Sequence, residues 1–69
     1  MRFEIGKYYQ FSSNGGKIHV LGELKTTAWG KSLIAESDSG SLYCVGRDEA
    51  SAVNWHEIDE NEWMKSFSN

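Results

Sequence analysis

The sequence predicts a mainly β protein, a small curled antiparallel sheet or SH3-like barrel of about five strands with one short C-terminal helix. Three observations carry this. Apolar residues alternate with polar ones in several short segments, turn signals recur about every eight to twelve residues, and residues 58–67 hold a complete helix start. The chain also contains no proline, which removes the commonest argument against central strands.

The elements follow in order. Phe3, Ile5, Tyr9 and Phe11 share one parity, so a strand over residues 3–12 puts them on one face. Asn14-Gly15 supplies the positive φ of a tight hairpin turn. Residues 17–25 form a second strand, with Ile18, Val20 and Leu24 on one side and His19, Leu21 and Glu23 on the other. Gly22 interrupts that strand and marks a bulge or bend, which a small sheet needs in order to curl. Thr26-Thr27-Ala28-Trp29-Gly30 is a turn. Residues 31–37 make a third strand around Leu33, Ile34 and Ala35, Asp38-Ser39-Gly40 turns the chain, and residues 41–45 make a fourth. A loop over residues 46–52 leads into a fifth strand at 53–58.

The terminal helix, residues 59–67, is specified locally. Asp59 is placed to cap it by accepting the amide hydrogen of Glu62, while Glu62 reaches back to the amide of Asp59. Ile58 and Trp63 occupy the two positions of a hydrophobic staple. Trp55 and Trp63 are expected in the core or as helix anchors.

A chain of 69 residues is one domain, 1–69, and one this small buries only about 60% of its unfolded surface. Nine aromatic residues allow a core to close, and any surplus is available for contacts or oligomerisation. The net charge of −3 is unevenly spread. Residues 1–35 hold five basic and two acidic side chains, net +3, and residues 36–69 hold two basic and eight acidic, net −6. Cys44 is alone, so no intramolecular disulfide forms, and no apolar run reaches the roughly 18 residues of a membrane span. Met1 to Gly6 lacks the apolar segment of a signal peptide, which predicts a cytoplasmic protein.

No enzyme is indicated. Cys44 with His19 or His56 is the one conceivable nucleophilic pairing, but no local context activates the thiol, and Cys44 shares a face with Leu42, which predicts a small buried side chain. The same residues lack paired metal-ligand spacing, so neither a metal nor a cofactor is expected. His56 is expected to be exposed, and Arg47 to pair with Asp48 or Glu49. Asn14-Gly15-Gly16-Lys17 resembles an anion nest, though a plain hairpin turn explains both glycines. Small barrels also bind single strands on aromatic platforms, here Tyr8, Trp29 and Tyr43, but the acidic total opposes a long polyanion. A compact nucleotide needs less. One stacking aromatic and one or two cations suffice, so Tyr8 or Trp29 is the expected stacking residue, Lys17, Lys31 or Arg47 the phosphate contact, and His19 a polar contact. Trp29 can instead fold back as a lid over the barrel end.

Gly6-Lys7-Tyr8-Tyr9, the run from Lys17 to Glu23, Trp29-Gly30 with Leu33-Ile34-Ala35-Glu36, and Asn54 to Ile58 with Glu62-Trp63 together resemble small uncharacterised proteins encoded by bacteriophages and prophages. The similarity covers nearly the whole chain and brings no active site with it. It implies the cytoplasm of a bacterial host and a stoichiometric counter-defence role. The expected protein is a non-enzymatic homo-oligomer that sequesters a small anionic signalling nucleotide. The alternatives are an interaction module that inhibits a host defence protein, presenting acidic residues 48–62 with Trp29 or Trp55 as anchor, and a structural or replication accessory of the phage.

Overall fold

The computed structural model describes residues 1–25 and 31–67, without the side chain of Lys31. Five strands, β1 (Tyr8–Phe11), β2 (Lys17–Glu23), β3 (Lys31–Ser37), β4 (Leu42–Gly46) and β5 (Trp55–Ile58), are followed by helix α1 (Glu60–Lys65). They form one antiparallel sheet in the order β4-β3-β2-β1-β5, so β4 and β5 are its two edges. The sheet curls into a half-barrel around Phe3, Tyr9, Ile18, Val20, Leu33 and Ala35, with Val45 and Trp55 packed against them.

Curling has a visible cause. Val20 pairs with Ala35 and Gly22 with Ile34, leaving Leu21 as an extra residue on β2, so the bulge expected at Gly22 is present. The β3–β4 connection is a three-residue turn in which the Gly40 amide donates to the Ser37 carbonyl and the Ser37 amide to the Ser41 carbonyl. Gly40 sits at φ +91°, the left-handed geometry this turn demands. Between β4 and β5, residues Glu49–Ala52 form a 3-10 turn capped by Asp48.

The first segment departs from expectation. The strand begins at Tyr8 rather than at residue 3, because Gly6 takes φ +90° and the Lys7 amide bonds back to the Glu4 carbonyl, folding the N-terminus over the core. Phe3 thereby meets Tyr9 edge-on at 4.9 Å and Trp55 at 5.7 Å, and the Glu4 amide donates to the Tyr9 hydroxyl at 2.8 Å. Ile5, assigned by parity to the same face, is exposed.

α1 starts where the sequence places it. The Asp59 carboxylate accepts from the Glu62 amide at 2.8 Å, but the Glu62 carboxylate accepts from Lys65 Nζ, also at 2.8 Å. Cys44 is a correction. It is exposed, as is Leu42 beside it, because β4 is an edge strand whose outward face no element covers among the described residues.

Candidate functional site

Chain alternation sends Tyr8, His19 and Lys17 to the outer face of the sheet while Tyr9, Ile18 and Val20 face the core. Tyr8 and His19 are register partners across β1 and β2, and their rings stack at 4.3 Å and 17°. Trp63 of α1 tilts over both at 5.8 Å, with Phe67 against its other side at 5.2 Å. The Tyr8 hydroxyl donates to the Glu60 carboxylate at 3.3 Å, His19 Nδ1 lies 3.4 Å from the Glu36 carboxylate, and Lys17 Nζ donates to the Glu62 carbonyl at 2.9 Å. Lost solvation first, and the Glu60 carboxylate second, hold the Tyr8 phenol above its ordinary pKa. Three of the residues expected to bind a ligand therefore dock the terminal helix.

Arg47 lies elsewhere. Its Nε donates to the buried Ser32 hydroxyl at 2.7 Å and its guanidinium pairs with Glu23, tying the end of β4 to β2 and β3. The expected partner Asp48 instead accepts from the amide and hydroxyl of Ser51, which lowers its pKa. Trp29 lies outside the described residues, and of Lys31 only the backbone is described, paired with Gly46. Tyr8, His19 and Lys17 are thus brought together on the outer face, where α1 engages them, while Arg47 lies apart from them.

A different set converges. Between the two sheet edges the half-barrel opens as a groove of about 490 Å³, within the range of about 300–1,000 Å³ usual for ligand sites. Phe11 and Trp55 line one wall, with rings 5.0 Å apart, Tyr43 lines the other, and Ile18 lies between them. The rim is polar. It is formed by Asn14, Gly16 and Lys17 of the first hairpin and by Ser37, Asp38 and Ser39 of the second. The Asp38 amide donates to the Lys17 carbonyl at 3.0 Å, locking the two turns together. Tyr43 stands opposite Ala35 in the β3–β4 ladder and Trp55 opposite Phe11 in the β1–β5 ladder, so both project from rigid strands.

Sequence reasoning named Tyr43 as a stacking residue and Trp55 as an anchor, but it missed Phe11 and the opposition of Trp55 to Tyr43 across one groove. Only the β1–β5 pairing, formed between segments more than forty residues apart, reveals that wall. Among the described residues no group of three or more His, Cys, Asp or Glu side chains is placed to hold a metal ion, and no helix is long and apolar enough to cross a membrane. The chain matches no known protein family, no curated protein and no solved structure.

Proposed function

We propose that the protein is a non-enzymatic binding module, acting in a bacterial cytoplasm as a phage-type accessory, that engages an extended segment of a host protein in the groove between Tyr43 and Trp55. The observation that carries this reading is that groove, an aromatic-walled cleft on two strand edges. Aromatic walls take an apolar or aromatic side chain. Asp38 is the carboxylate at the rim, while Lys17 Nζ is turned to the Glu62 carbonyl on the outer face, so a segment with a neighbouring cation is favoured over an anionic one.

Sequestration of a small anionic nucleotide is the second reading. It draws on the capacity of Tyr43 and Trp55 to stack a base. One experiment separates the two. Tagged wild-type and Tyr43→Ala proteins are used to capture partners from host lysate, and tryptophan emission is followed while a panel of mono-, di- and cyclic nucleotides is titrated. A stoichiometric protein recovered by the wild type and lost with Tyr43→Ala supports the interaction module. A saturable emission change with a nucleotide and no protein capture supports sequestration. Equal behaviour of wild type and variant in both assays removes the groove from function.

A further inference from the structure

The β5 edge carries Glu57, paired with Lys7, whereas β4 carries no charged residue. Natural edge strands are blunted by charge, proline or bulges, because their unpaired amides and carbonyls accept another strand. From Ser39 to Gly46 the chain carries no charge and no proline, and Leu42 (67% exposed), Tyr43 (45%) and Cys44 stand open along that edge.

The hydrogen-bond phase of β4 can be read from its turn. The Ser37 amide donates to the Ser41 carbonyl, which makes Ser37 and Ser41 a hydrogen-bonded pair. Alternation then makes Glu36–Leu42 a non-bonded pair, Ala35–Tyr43 a bonded one and Ile34–Cys44 a non-bonded one. Leu42 and Cys44 therefore turn their N–H and C=O groups away from β3, toward open space.

We propose that β4 pairs antiparallel with β4 of a second copy of this chain about a two-fold axis at Tyr43. In that register Leu42 lies opposite Cys44 of the second copy and Cys44 opposite its Leu42. Both are hydrogen-bonded pairs, so every outward backbone group of the two residues gains a partner. A second copy is the occupant because the strand is self-complementary in side chains as well as in phase. Leu42 meets Cys44 on the outer face, Tyr43 meets Tyr43 at the groove rim, and no like charges are opposed within the paired segment. The symmetric contact covers the same edge on both copies and leaves neither β4 free. It also makes the two grooves neighbours across the seam. A single short strand pair covers less area than a permanent interface, so the dimer is concentration-dependent. This inference is independent of what the groove binds.

Sedimentation velocity of the reduced protein from about 1 µM to about 1 mM, the range of weak to moderate affinities, reads the association directly. The wild type is expected to shift from monomer to dimer, and Leu42→Lys to stay monomeric with an unchanged circular dichroism spectrum. Register is tested by oxidising Leu42→Cys with native Cys44 in place. Opposed Cα atoms in bonded pairs lie about 5.5 Å apart, inside the disulfide range of about 4.4–6.8 Å, whereas two Cys44 residues sit on a diagonal of about 7–8 Å. Leu42→Cys should therefore give a covalent dimer in high yield where the wild type gives little. A wild type that stays monomeric throughout, a folded Leu42→Lys that still dimerises, or a Leu42→Cys that cross-links no better than wild type overturns the proposal. If Leu42→Lys does not fold, the cross-linking comparison decides. Groove binding is read separately with Phe11→Ala, on the groove wall opposite β4, so loss of one property leaves the other measurable.

Discussion

Tyr8 and Tyr9 are chain neighbours on opposite faces of one sheet, and the clusters around them are built on different principles. Tyr9 is 0% exposed, held edge-on by Phe3 and surrounded by Ile18, Val20, Leu33 and Ala35, with one backbone amide satisfying its hydroxyl. Tyr8 is only half-buried, stacked on an imidazole, roofed by Trp63 and tied to Glu60, with Glu36 and Lys17 making polar contacts nearby. The inner cluster excludes water and fixes the fold. The outer one buries Trp63 to 5% exposure and ties a single six-residue helix to the sheet through polar contacts that solvent reaches. One aromatic-rich sequence thus supplies both a core and a clasp for the terminal helix.

Removing the inner ring should have the largest effect. Tyr9→Ala leaves a cavity at the centre of the half-barrel and is expected to cost about 3–5 kcal/mol, enough to unfold a domain of this size, as urea denaturation followed by circular dichroism will report. Trp63→Ala should cost less, about 2–3 kcal/mol, because α1 can leave while the sheet persists. Hydrogen exchange makes the distinction sharp: amides of residues 62–66 should lose protection while those of β2 and β3 keep theirs. If both sets fall together, the two clusters form one cooperative unit.

The smallest effect appears with pH. Burial holds the Tyr9 phenol above its usual pKa. A raised pKa in the folded state stabilises the fold below the unfolded value of about 10 and loses that contribution as pH rises through the higher folded value. The melting temperature should therefore fall above about pH 10. Tyr9→Phe, at the cost of about 1 kcal/mol for the lost hydrogen bond, should flatten part of that decline. The remaining slope belongs to Tyr8, Lys7 and Lys65, whose pKa values are also raised. An alkaline melting profile identical in wild type and Tyr9→Phe would show that the inner phenol is not the group being titrated.

The difference between the two clusters also explains what could be read from the sequence. Local grammar was legible: strand β3 spans the residues expected, Asp59 caps α1, and Gly22 sits at the bulge. Parity correctly separated Ile18 and Val20 from His19, but it could not see that Gly6 reverses the chain and leaves Ile5 in solvent. Nor does parity say which face of an edge strand is covered, so Cys44 was expected inside. The candidate site suffered most. Lys17, Tyr8 and His19 look available in one dimension, and only the return of α1 onto the outer face engages them. Phe11 and Trp55 become a wall through a pairing between the two ends of the chain, which no local pattern records.

The turn at Gly40 acts on the fourth strand as a phase setting. Because it contains three residues, Tyr43 bonds to β3 and faces inward, while the backbones of Leu42 and Cys44 point outward. A turn one residue longer or shorter, with β3 held fixed, would exchange those assignments along the whole strand. Tyr43 would leave the groove, Cys44 would enter it, and the outward row of amides would shift by one position. A single backbone conformation, one that only glycine adopts without strain, thus indexes every residue of β4 to the surface it serves.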